Sequence, residues 1–200
     1  EAAEQYTQLE NSAEEKPLKV ALKIDSRDIL HKTEAGGVKL NIANIAEVKE
    51  GFETIIRNAR AYNPNANING VQIAPMLKPG VEVIIGVKND PEFGPVILCG
   101  LGGILVELFK DVALRLAPVS KEEARDMVSE LKAKALLEGY RGAEACDLDS
   151  LYELIQTVSE IAYAKRNELL ELDMNPVFLS KDGASIADAL VITSAEPTIT

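Results

Sequence analysis

"ELDMNPVFLSKDGASIAD", residues 171–188, reads as two extended runs around a Ser-Lys-Asp-Gly turn, and its first run alternates polar with apolar side chains. Successive side chains on a strand point to opposite faces, so Glu171, Asp173 and Asn175 share one side, and Asp188 returns along the partner run. Two to four oxygens can converge there. Hard oxygen ligands of this kind suit Mg2+, which takes one or two carboxylates and leaves its other positions to water and phosphate. The same alternation also describes a hairpin with one solvated face, with Asn175-Pro176 as simple punctuation. Spacing alone leaves both readings open.

Upstream of this hairpin the apolar periodicity changes. In "DLDSLYELIQTVSEIAYAKR" it predicts a helix with Leu151, Leu154, Ile155, Val158 and Ile161 inward. "VSKEEARDMVSELKAKALLEG" predicts another, opened by Ser120 and Glu123 in capping-box spacing, buried through Ala124, Met127, Val128 and Leu131, and stopped at Gly139. "VQIAPML", "VEVIIGV" and "PVILCG" predict three strands, separated by turn formers and read as a meander. From Asn44 to Tyr62, Val48, Phe52, Ile55, Ala59 and Tyr62 recur at helical steps, with Asn44 as N-cap. "PLKVALKI" and "GVKLNI" add two strands around a polar loop. Strands and helices without regular alternation predict an α+β layered fold of two subdomains with a crevice between them.

Composition limits what such a fold can do. Hydrophobic residues make up 46% of the 200, enough for a substantial core. A net charge of -11 leaves no basic footprint for nucleic acid or an anionic membrane, so any anionic ligand must be gripped locally. Glu1, Glu4, Glu10, Glu14 and Glu15 stand in the first fifteen residues without a base among them, and predict a solvated acidic tail over 1–15. The two cysteines, Cys99 and Cys146, lack CxxC spacing; a disulfide framework or zinc site is not expected, and a reducing cytoplasm fits. The most apolar window, "GPVILCGLGGILVELF", is shorter than a membrane span and carries Glu107.

Three further features bear on chemistry. "CGLGG", residues 99–103, has Leu105 where a dinucleotide loop needs its third glycine, and no Lys-Ser/Thr follows for a P-loop. A glycine turn remains, either a tight connection or a place where a phosphate or another backbone comes close. Lys23 lies in the apolar run "VALKI", as a snorkelling edge charge or as a point charge for phosphate. His31, the only histidine, sits in the loop "DSRDILHKTEAGG". With no second histidine or cysteine cluster, metal ligation is disfavoured; an ordinary loop histidine and a nucleophile toward phosphorus are the two readings.

Taken together, "ALKIDSRDILHKTEAGGVKL", "GVEVIIGVKNDPEFGPVILCGLGGILVELFKDVALRLAP" and "ELDMNPVF" with "IADALV" resemble, in order over residues 17–194, the ATP-grasp domain of NDP-forming acyl-CoA synthetases. That is the family of ADP-forming acetyl-CoA synthetase, related to the succinyl-CoA synthetase β subunit. The resemblance implies an ATP-grasp fold with a nucleotide crevice, N-terminally truncated, with a lid-like subdomain over 16–75, a C-terminal subdomain over 76–195 and a tail at 196–200. It implies a ligase interconverting acyl-CoA, ADP and phosphate with acid, CoA and ATP through phosphohistidine, using ATP/ADP and Mg2+. Lys23, Lys32, Gly36, Gly37 and Glu82 would contact nucleotide or transferred phosphoryl, Asn175 and Asp188 would hold Mg2+, and His31 would accept the phosphoryl group on a swinging loop. The implied partners are CoA-binding and CoA-ligase domains, or an α subunit, in a cytoplasmic oligomer; carboxylic acid and CoA would bind through them. A second expectation is a non-catalytic ligand-sensing module, as in large protein acetyltransferases.

Overall fold

The structure, a computed structural model, describes residues 1–13, 17–103 and 110–194. Residues 14–15 of the acidic stretch, Glu107 of the apolar window and the tail at 196–200 lie outside the described residues. The chain divides into two units, Glu1–Met76 and Leu77–Thr200. Among the described residues no helix is long and apolar enough to cross a membrane.

The first unit is built on a three-stranded antiparallel sheet in the order β2-β1-β3, with β1 at Val20–Ser26, β2 at Val38–Ile42 and β3 at Ile68–Pro75. Strand β1 sends Val20, Leu22 and Ile24 to one face, where they are completely buried. Against that face packs a helix at Ile45–Tyr62, here α2, capped by Asn44 through its side-chain oxygen on the Glu47 amide. The predicted helix is present, but its inward face is Val48, Gly51, Ile55 and Ala59, while Phe52 and Tyr62 are exposed. Gly51 is needed because a Cβ there would lie 2.7 Å from Leu22 Cδ1, so the helix seats directly on β1. The run around "VQIAP" does not join the following strands in a meander. It pairs with β1 from Val20↔Pro75 to Ser26↔Ile68.

The expected solvated tail is instead a helix, α1, at Ala2–Ser12. Its single aromatic decides this. Tyr6 is 1% exposed, packs with Val20 and Val48, and its hydroxyl lies 2.7 Å from the Ala43 carbonyl and 3.0 Å from that of Leu18. On α1, Glu4 is exposed and Glu10 is half-buried beside the Tyr6 hydroxyl; charge pattern alone concealed the buried stripe through Tyr6.

The second unit carries β4 (Val81–Asp90), β5 (Gly94–Leu101), β6 (Val112–Leu116), β7 (Leu169–Ser180), β8 (Gly183–Ile186) and β9 (Ala189–Thr193). They form one antiparallel sheet in the order β6-β5-β4-β7-β8, with β9 also on β7. Two helices, α3 at Lys121–Glu130 and α4 at Leu148–Ala164, cover one face. Their Met127, Leu151 and Ile155 meet Ile85, Ile97 and Leu101 in a core from which water is excluded. Helix α3 has the expected capping box between Ser120 and Glu123, yet ends at Glu130 rather than near Gly139. The buried Asp111 carboxylate accepts the Lys132 and Ala133 amides at 2.8 and 2.9 Å and redirects the chain there. In α4, Ile161 faces outward, and Tyr152, Ser159 and Ala162 complete the buried stripe.

Tyr6→Phe should lower stability by about 1 to 3 kcal/mol, because the Ala43 and Leu18 carbonyls lose their hydroxyl partner. The melting temperature should fall by roughly 3 to 8 °C in a calorimetric scan. A solvated tail would give no change.

Candidate functional site

His31 occupies an exposed position in the connection between β1 and β2. This connection is a hydrogen-bonded turn. Ala35 N donates to His31 O at 3.2 Å, Gly36 N to Thr33 O at 3.0 Å, and Gly37 N to Lys32 O at 2.8 Å. The side chains of Ile29 and Ala35, on either side of His31, are buried in the core of the first unit with Ile24, Ile55 and Ala59. In this conformation Ile29 and Ala35 anchor the two sides of the loop, with His31 exposed between them. Gly36 and Gly37, expected to present their amides to a phosphoryl group, spend those amides inside the turn. Glycine is required for other reasons. Gly36 has φ +60°, and a Cβ on Gly37 would lie 2.5 Å from Ile24 Cγ2.

Lys23 lies on the face of the three-stranded sheet opposite α2, paired with Val38 on β2 and Gln72 on β3, and is half-buried. Lys32 follows His31 in the turn and is half-buried as well. Thus His31, Lys23 and Lys32 all belong to the first unit.

In the second unit the sheet face opposite α3 and α4 carries the other predicted groups. Glu82 is exposed there, and its carbonyl accepts the Gly102 amide at 2.7 Å. A Cβ on Gly102 would stand 2.9 Å from Glu82 Cβ, so this glycine serves the close approach of another backbone. Farther along β4, Gly86 pairs with Asp173, and Lys88 pairs with Glu171. These residues and the apolar Ile84, Val96, Leu98 and Leu114 line an open depression of about 440 Å3. Gly86 and Lys88 escaped the sequence reading. A glycine inside a strand was the available signal, since it marks open space or a close approach.

Asn175 and Asp188 are brought together. Strand β7 runs in register with β4 from Lys88↔Glu171 to Ile85↔Met174, then gains one residue before Val83↔Val177. This bulge shifts the alternation, so that Leu172 and Met174 face the core before it, and Val177 and Leu179 after it. At the same level β8 ends at Ile186 and β9 begins at Ala189. The backbone N–H of Asn175 donates to the backbone carbonyl of Asp188 at 3.2 Å, and that of Ala187 to the carbonyl of Pro176 at 3.0 Å. The donors are hard oxygens, one amide and one carboxylate, of the type Mg2+ accepts. Among the described residues no group of three or more His, Cys, Asp or Glu could hold a metal by itself.

Residues 1–193 match a family profile described as an ATP-grasp domain. The chain is 50% identical over 164 residues to the 4-hydroxybutyrate–CoA ligase [ADP-forming] of Nitrosopumilus maritimus, covering 82% of this chain and 23% of that protein. It is 47% identical over 182 residues to the acetate–CoA ligase [ADP-forming] II subunit beta of Pyrococcus furiosus, covering 90% of this chain and 77% of the subunit. Among solved structures it resembles acetyl-coenzyme A synthetase 1 of Ca. Korarchaeum cryptofilum in complex with coenzyme A, Ca-AMPCP and HgCl+, with a TM-score of 0.88 and 36% identity over 97% of this chain and 83% of that one. The same enzyme with coenzyme A and Mg-AMPPCP, its phosphohistidine segment pointing towards the nucleotide binding site, gives a TM-score of 0.76 and 35% identity over 96% and 83%.

Gly37→Ala should destabilise the protein by about 1 to 3 kcal/mol, through the collision with Ile24 beneath the turn. Chemical denaturation measures it. A glycine kept only for the approach of a ligand would leave the midpoint unchanged.

Proposed function

Because the chain belongs to the ATP-grasp domains of ADP-forming acid–CoA ligases, we propose that it is the nucleotide-binding part of such a ligase. The reaction we assign to the assembled enzyme is interconversion of acyl-CoA, ADP and phosphate with the free acid, CoA and ATP. The observation that supports this reading most directly is the backbone hydrogen bond that sets Asn175 beside Asp188 at the level of the β7 bulge. These two residues would hold Mg2+, which when bound offsets phosphate charge. Lys23 would grip phosphate oxygens from the first unit, with Lys32 beside the phosphoryl acceptor. Glu82, Lys88 and the depression around Gly86 would contribute from the second unit.

His31 is the phosphoryl acceptor in this reading. In the ATP-forming direction ADP attacks phosphohistidine; in reverse, a ring nitrogen of His31 uses its lone pair to form an N–P bond to the γ-phosphorus. The bond from that phosphorus to its bridging oxygen breaks, ADP leaves with the electron pair, and the proton on the other ring nitrogen passes to solvent at this exposed site. The acid and CoA would be bound by CoA-binding and CoA-ligase domains, in the same chain or in an α subunit. We assign residues 16–75 to a lid-like subdomain, 76–195 to the C-terminal one, and the protein to the cytoplasm.

Mg-ADP at one hundredfold its Kd should stabilise the chain by about 2.7 kcal/mol, or roughly 5 to 10 °C in melting temperature. Asp188→Ala should remove the magnesium-dependent part. Gly86→Val should fold, because its Cβ would stand at ordinary contact distance, 3.8 Å, from Leu98 Cβ, yet narrow the depression at Gly86 and reduce the shift. Nucleotide that leaves the unsubstituted protein's melting unchanged sinks the reading. In the assembled enzyme, γ-labelled ATP should yield an acid-labile, base-stable phosphoprotein, with transfer lost in His31→Ala. Full turnover by that variant refutes the acceptor role.

A further inference from the structure

The turn that carries His31 is held by side chains outside it, and one of these has no other evident task. Asn58 sits within α2, where asparagine is a poorer helix former than alanine. It is half-buried, and its Nδ2 donates to the Gly36 carbonyl at 3.0 Å. Gly36 is shaped to receive it. With φ at +60° it turns its carbonyl to the helix, and a Cβ there would lie 2.8 Å from Asn58 Nδ2. At the other end of the turn Asp28 Oδ2 accepts the Asn67 amide at 2.7 Å, while Ser26 Oγ donates to the Asn67 carbonyl at 2.8 Å and accepts the Asp28 amide at 3.2 Å. The backbone on both sides of His31 is thereby clipped, once to the loop before β3 and once to α2.

We infer that Asn58 is a positioning residue for His31: its amide, bonded to the Gly36 carbonyl, fixes the turn so that the imidazole is presented to a phosphoryl group in one orientation. This inference rests on the proposed acceptor role of His31. Asn58 touches neither nucleotide nor phosphoryl in it; it acts through four residues of turn. Misplacing a nucleophile by about 1 Å costs on the order of a hundredfold in rate, so loss of the clip should be felt mainly in the transfer step.

The test compares Asn58→Asp, nearly isosteric but without the donor, and Asn58→Ala with the unsubstituted chain in the assembled enzyme. Two readouts are taken: the single-turnover rate of labelling of His31 by γ-labelled ATP, and the ring resonances of incorporated 13C-histidine that vanish in His31→Ala and so belong to His31. Labelling should slow about 10- to 100-fold in both variants, with shifted or broadened ring signals and with the Mg-nucleotide Kd unchanged within about twofold. A purely structural role would instead weaken nucleotide binding and labelling together, in step with a fall in melting temperature, and overturns the inference. So does labelling at the normal rate, or slowed labelling with unmoved ring signals. If the unsubstituted enzyme incorporates no label at His31, the acceptor role itself falls and takes the inference with it, whereas the outcomes above overturn only the task given to Asn58.

Discussion

Strand β7 has to satisfy three neighbours with one backbone, and much of the second unit follows from how it does so. It pairs with β4 on one edge along most of its length, and on the other edge with β9 through its first half and β8 through its second. Two short strands on one edge require a break between them, at Ala187-Asp188. The extra residue in β7 meets that break. Because the inward alternation changes parity across it, hydrophobic side chains can continue on the core face while Asn175 is diverted toward the break. Core packing and the approach of Asn175 to Asp188 are therefore one solution here.

The first unit couples its core to its chemistry in a different way. Ile29 and Ala35 lie in the same cluster as Ile24, Ile55 and Ala59, so the His31 turn is seated on the sheet-helix core. Hydrogen bonds inside the turn consume amides that glycines might otherwise lend to a ligand. In the proposed site, phosphate would then be gripped by side chains. Lys23 and Lys32 are in the same unit, and a charged side chain can adjust its reach where a committed backbone amide cannot.

Much of this was legible in the sequence. Helical spacing located α2 and α4, the Ser120-Glu123 box located the start of α3, and the Ser-Lys-Asp-Gly turn located the β7–β8 hairpin, because each is specified by residues close together in the chain. What failed depended on distant partners. "VQIAP" is an equally good strand in either sheet, and only pairing with Val20–Ser26 decides between them. Helix α3 stops where Asp111 caps amides some twenty residues away. Tyr6 was hidden among glutamates because burial of α1 rests on one aromatic and on carbonyls from two other segments. In the candidate site, residue types that bear charge or a reactive ring stand out in the sequence as candidates; the contact of Asn58 with Gly36 does not, since an amide inside a helix has no pattern until its acceptor is known.

Among the described residues strand β6 is the last of its sheet, and it shows Val112, Leu114 and Leu116 on the face away from the helices. An edge strand with apolar residues at alternate positions is a template for pairing with a foreign strand. Arg115, between two of them, points to the other face, where it is held by Glu130 at the end of α3. The single charge within the strand is thus occupied in securing a helix and does not guard the exposed face. At this edge, then, it is the net negative charge of the whole chain, and not a charge within the strand, that opposes pairing with a second copy.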